Sequence, residues 1–141
     1  MFQKLFFQFL LGRTIHQAVE AGDMTRIRAL LLSDASLVNL PDATGLTPLH
    51  IAAANGNVAL VAELLAYHAD VNAHDATHGV TPLHLAARNG HHQIAKLLLE
   101  HGANPQALDH QGKTPLMLAH EENKRAVIAE FQRHPAHNTQ D

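Results

Sequence analysis

The sequence predicts an all-α solenoid of stacked helix–turn–helix units with projecting β-turn fingers. Three observations predict it. A four-residue phrase returns as Thr47-Pro48-Leu49-His50, Thr81-Pro82-Leu83-His84 and Thr114-Pro115-Leu116-Met117, spaced by 34 and then 33 residues. That period is long enough for one supersecondary unit and too long for a single helix or strand. Small residues ending in Gly follow the first two phrases, Ile51-Ala52-Ala53-Ala54-Asn55-Gly56 and Leu85-Ala86-Ala87-Arg88-Asn89-Gly90. A second apolar pattern at helical spacing follows each Gly, with Leu60, Val61, Leu64 and Leu65 in one unit and Ile94, Leu97 and Leu98 in the next.

Each element has a local cause. Thr accepts a hydrogen bond from an orphan N–H two or three residues on, and Pro lacks the N–H that the first helical position leaves unused, so the phrase starts a helix. Small side chains let neighbouring helices approach closely, and Gly permits a left-handed stop after about two turns. The second helix leads to Ala69-Asp70-Val71-Asn72-Ala73-His74-Asp75, or to Gly102-Ala103-Asn104-Pro105-Gln106-Ala107-Leu108-Asp109, and then to Gly79 or Gly112. Asx residues and Gly at these offsets favour a tight projecting turn.

The combination of T-P-L-H, A-A-x-x-G, L-L-x-x-G-A and D-x-x-G at these offsets resembles the ankyrin repeat, over roughly residues 13–134. Four repeats are expected, at 13–46, 47–80, 81–113 and 114–134, behind an apolar Phe-rich segment 1–12 and before a polar tail 135–141. The first is degenerate: Arg13-Thr14-Ile15-His16 keeps the His but lacks Pro and Leu, and Arg26 in its second helix, near Met24–Leu32, stands where later units have Leu60 and Ile94. The last helix is expected at roughly Lys124–Arg133, with Val127, Ile128 and Phe131 on one side and Arg125, Glu130, Gln132 and Arg133 facing water as an end cap. Two departures stand out. His68 replaces the Gly102 of the next unit at a left-handed stop, and Asp75-Ala76-Thr77-His78-Gly79 is one residue longer than Asp42–Gly45 or Asp109–Gly112.

Composition narrows the functional classes. A formal charge of −3 gives no basic footprint for nucleic acid, and with Cys 0 there are no disulfides, thiol nucleophiles or thiolate metal sites. Catalytic motifs fail on inspection. Gly112-Lys113-Thr114 resembles the end of a phosphate loop, but Ala107 occupies the place of its earlier Gly. His120-Glu121 begins like a zinc-protease motif, but Lys124 sits where its second His belongs, and Ser33 and Ser36 have no nucleophile-elbow context. Neither an enzyme activity nor a cofactor is expected. His74, His78 and His110 on adjacent fingers, near Asp75 and Asp109, are the one metal-site candidate. Solvated finger residues are the preferred reading, because structural zinc needs four placed ligands.

The resemblance implies further roles. His16, His50 and His84 would link neighbouring turns by hydrogen bonds, and the protein would bind another protein through a concave surface of finger tips and first helices. Carried over position by position, the contact residues are Ala43, Thr44, Leu46, Ala54 and Asn55 in the second unit. The third contributes Ala76, Thr77, His78, Val80, Arg88 and Asn89, and the fourth His110, Gln111, Lys113, Glu121 and Glu122. Leu46 and Val80 are either apolar anchors or packing for the finger base, and Arg88 and Lys113 are steering charges. A proton- or metal-responsive binder using the histidines is an alternative.

Residues 1–11 pose a separate question. Phe2, Leu5, Phe6 and Phe9 follow the i, i+3, i+4, i+7 rule of one helical face, widened by Phe7, Leu10 and Leu11. Such a face needs cover. An N-terminal cap on the first repeat is preferred. The alternatives are an interfacial membrane or partner-docking helix, which makes the protein a membrane-associated adaptor, and a degenerate secretory signal with no persuasive cleavage site at Gly12-Arg13-Thr14. The segment is too short to span a bilayer. A cytoplasmic location is expected, with membrane association or export following from the two alternatives.

Overall fold

The computed structural model describes residues 2–135, and within the first helix the described side chains before Thr14 are those of Gln3 and Phe6. Among the described residues there are eight α-helices, one 3-10 turn and no strand. The helices are α1 (Phe2–Ala21), α2 (Met24–Ser33), α3 (Pro48–Asn55), α4 (Val58–Ala66), α5 (Pro82–Asn89), α6 (His92–Glu100), α7 (Pro115–Glu121) and α8 (Arg125–Arg133), with the 3-10 turn at Ala35–Asn39. They pair in sequence. The first helix of each pair, α1, α3, α5 and α7, packs on its counterpart in the next pair, while α4, α6 and α8 form a second layer behind them.

The start of each inner helix follows the expected chemistry. Thr47 caps α3 and Thr81 caps α5, and in both a reciprocal bond closes the cap: the Thr hydroxyl accepts from the His N–H three residues on, and the His ring accepts from the Thr N–H. Pro sits in the first turn, where no donor is lost. Both helices end on Gly56 and Gly90 at φ 78°, which a Cβ would strain. His68 adopts φ 65° where its alignment with Gly102, at φ 89°, places a left-handed stop.

Equivalent positions stack into columns. Ile15, Leu49 and Leu83 are fully buried, as are Leu60, Ile94 and Val127 in the second layer. Arg26, aligned with the latter column, is exposed, and no unit precedes α1–α2 among the described residues. Its neighbour Ile27 is buried, as are its equivalents Val61 and Ala95.

Three features differ from the local reading. The helix does not begin near residue 13: α1 is 20 residues long where α3 and α5 have 8, and it runs through the 12/13 boundary. Leu, Gln and Lys favour helix there, and Gly12 alone costs only about 1 kcal/mol, too little to end it. The first unit also closes differently. In place of a left-handed stop, Asp34 accepts from the Ser36 N–H at 3.0 Å and hydroxyl at 2.6 Å, which folds the chain into the 3-10 turn. Finally, Glu130 is 4% exposed and does not face water as expected of a cap residue. Arg133 folds back over it, donating to Oε1 at 2.7 Å. Pro135 closes the described chain, and the tail 136–141 lies outside it.

Candidate functional site

The fingers are built by one carboxylate each. In the second unit Asp42 Oδ1 accepts from the Thr44 N–H at 2.8 Å, the Thr44 hydroxyl at 2.7 Å and the Leu46 N–H at 3.0 Å. Asp109 repeats this with the N–H groups of Gln111 and Lys113, both at 2.9 Å. The longer third finger uses both oxygens of Asp75: Oδ2 takes the N–H groups of Thr77 and His78, and Oδ1 takes Val80 at 2.7 Å. The extra residue is thus absorbed by spreading the loop across the carboxylate. Burial by itself would raise all three carboxyls, but these hydrogen bonds outweigh it and hold them below their ordinary value of 3.8.

Neighbouring fingers touch directly. The Thr77 hydroxyl donates to the Thr44 carbonyl at 3.2 Å, the His110 N–H donates to the His78 carbonyl at 2.9 Å, and His110 Nδ1 lies 3.2 Å from the Thr77 carbonyl. A Cβ on Gly79 would collide with the His110 ring. Glycine there serves packing as well as its φ of 69°.

Beneath the fingers runs a ladder of histidines. His50 Nδ1 accepts from the Thr47 N–H at 3.1 Å, so its proton sits on Nε2, which donates to the Val80 carbonyl at 2.8 Å. His84 does the same between Thr81 and the Lys113 carbonyl, at 3.0 and 2.9 Å. A second proton on Nδ1 would displace the hydrogen bond from the Thr N–H. Burial pushes both imidazoles below their ordinary 6.5, against the opposing pull of the carbonyls they bond. His16 extends the ladder to the Leu40 carbonyl at 2.7 Å, reaching the start of the loop and not the finger base. In the fourth unit the position is Met117, which is 49% exposed and has no later finger among the described residues.

The expected contact residues divide by burial. Ala43, Thr44, Ala76, Thr77, His78, His110 and Gln111 are exposed on the finger tips, and Asn55, Arg88, Asn89, Glu121 and Glu122 at the ends of the first helices. Ala54 and Leu46 are half-buried, and Leu46 packs against the core. Of the two roles open to Val80, its 4% exposure matches packing of the finger base, where its N–H is held by Asp75 Oδ1. Lys113 is also not a free charge. Its Nζ lies 2.8 Å from Glu121 Oε1. Arg88 is exposed with no ion-pair partner among the described residues.

Among the described residues three exposed apolar side chains escaped the sequence reading, Leu32 at 78% exposure, Leu108 at 57% and Met117. The signal for Met117 was its replacement of the phrase histidine. Among the described residues no group of three or more His, Asp or Glu is arranged to hold a metal ion. His74 bonds the Gly79 carbonyl of its own finger, and His78 stands 3.6 Å from Asp75. On α1 Phe6 is 61% exposed, whereas the side chains of Phe2, Leu5 and Phe9 lie outside the described set. No described helix is long and apolar enough to cross a membrane.

A family model described as ankyrin repeats (3 copies) matches residues 15–109 and, in an overlapping second match, 70–139. No curated protein matches the chain. The matched segments contain the histidine ladder, the three Asp-held fingers and the columns of stacked helices. The chain therefore belongs to the ankyrin-repeat family, whose members are in general protein–protein interaction modules and typically carry no enzyme activity.

Proposed function

We propose that this protein is a non-enzymatic scaffold that receives a client protein on the surface formed by its finger tips and the ends of α3, α5 and α7. The observation that carries this reading is the contrast between backbone and side chains there. Every finger is fixed by its Asp and tied to its neighbour, yet Thr44, Thr77, His78, His110 and Gln111 are exposed. A rigid frame bearing exposed polar side chains loses little ordering entropy on association. Steric blocking tests it. Ala76→Tyr and Asn55→Tyr should abolish recovery of a cross-linked client without lowering the melting temperature, and undiminished recovery would refute the surface.

A second reading adds location. The part of α1 before Thr14 has no counterpart in α3, α5 or α7, and Phe6 on it is exposed, which favours an anchor over a cap. As an adaptor the protein would bind its client beside a membrane. Deleting residues 2–11 should then leave the melting temperature unchanged and abolish sedimentation with anionic vesicles. A fall in melting temperature of several degrees would support the cap instead.

A further inference from the structure

The charges on the proposed surface are ordered along the stack. The end of α3 is neutral, with Asn55; the end of α5 carries Arg88; the end of α7 carries Glu121 and Glu122. The Lys113–Glu121 contact at 2.8 Å neutralises one acid, which leaves Arg88 on the third unit and Glu122 on the fourth. The stem of Lys124 lies against Gly90 at the end of α5 and adds a second cation on the Arg88 side. Neighbouring first helices pack directly, so Arg88 and Glu122 stand on adjacent helices of the stack. Arg88 sits in the last turn of α5, where the helix dipole also favours a cation and where Asn89 beside it is held by its own bond to the Leu85 carbonyl at 2.9 Å. Among the described residues Arg88 has no ion-pair or side-chain hydrogen-bond partner. Its guanidinium keeps a planar set of donors suited to a carboxylate.

We infer that the client presents an acidic side chain to Arg88 and a basic one to Glu122, one repeat further along. This rests on the surface proposed above and deepens it by fixing the partner's charge order. The order also excludes: a client shifted by one unit places its carboxylate against Glu121 and Glu122, so like charge penalises the wrong register. His78 and His110 on the facing fingers frame the same units, while Thr44 and Asn55 leave the second unit uncharged. Charge recognition is therefore confined to units three and four.

The test is selection of a phage-displayed random peptide library on the full chain, followed by anisotropy titration of the enriched synthetic peptides. The enriched peptides should carry Asp or Glu. Arg88→Glu should weaken them at least tenfold, and replacing that peptide acid by Lys should restore binding to Arg88→Glu. Glu122→Lys should weaken them less, and added salt should erode both effects. Peptides whose affinity is unchanged by Arg88→Glu but lost in Ala76→Tyr would overturn the charge order while leaving the surface intact. Peptides indifferent to Ala76→Tyr and Asn55→Tyr, or a failure to enrich any, would overturn the surface and the charge order together.

Discussion

The two inner helix pairs and the two outer ones have the same design but meet different neighbours, and their residues differ accordingly. In α3 and α5 the Thr–His pair closes a reciprocal cap and the His reaches the finger of the following unit. In α7 Thr114 still caps the helix, but Met117 cannot return the bond and has no finger beyond it among the described residues. At the other end Arg26 occupies the column that holds Leu60, Ile94 and Val127. The Thr cap is kept at α3, α5 and α7 alike, whereas ladder and column residues are kept only where a described neighbour exists to use them. Stability in this protein is therefore an interface property, as expected of a quasi-one-dimensional stack.

The largest break in that contrast comes from the column. Leu83→Ala, at a fully buried inner position, should cost about 2–5 kcal/mol. Leu116→Ala, at the half-buried equivalent in the last unit, should cost clearly less in the same urea titrations. Equal costs would mean that the last pair is as enclosed as the inner ones.

The ladder gives the next effect. His84→Ala leaves the Thr81 N–H and the Lys113 carbonyl without their partner, at about 1–3 kcal/mol. Met117→Ala, at the exposed equivalent, should stay within about 0.5 kcal/mol.

Titration sharpens the same point. His50 and His84 have folded values depressed below 6.5, so the unfolded chain binds more protons and stability must fall as pH falls. Their contribution is complete above about pH 6.5 and is lost progressively below it. Asp42, Asp75 and Asp109, depressed below 3.8, add a second loss in more acid solution. Urea midpoints measured from pH 8 to pH 3 should show both, and His50→Gln with His84→Gln should flatten the first.

The smallest effect is a gain. His68 stands at φ 65° where Gly102 has φ 89°, so His68→Gly should stabilise by up to about 1 kcal/mol, whereas Gly102→Ala should destabilise. A lower urea midpoint for His68→Gly would show that its side chain contributes more than its backbone costs.

Much of this was legible locally. Thr-Pro, the Gly stops and the left-handed turn at His68 are set by residues close in sequence, and their chemistry can be read where it stands. Val80 was not so legible, because its burial depends on Asp75 gathering three N–H groups across an extended loop, and either inward or outward packing suits a valine there. The pairing of Lys113 with Glu121 depends on how the finger folds over α7. Glu130 reads as a solvent-facing cap residue until Arg133 folds over it. The continuity of α1 was hidden by Gly12, whose helix penalty is small beside the propensities around it.

Residue-resolved native-state hydrogen exchange tests most directly the claim that neighbours, more than local propensity, set stability along the stack. The amides of α3–α6 should be the slowest to exchange, with opening free energies near the global value. Those of α8 and of α1 before Thr14 should open at lower cost. Uniform protection across all eight helices, or outer pairs that outlast the inner ones, would contradict the account.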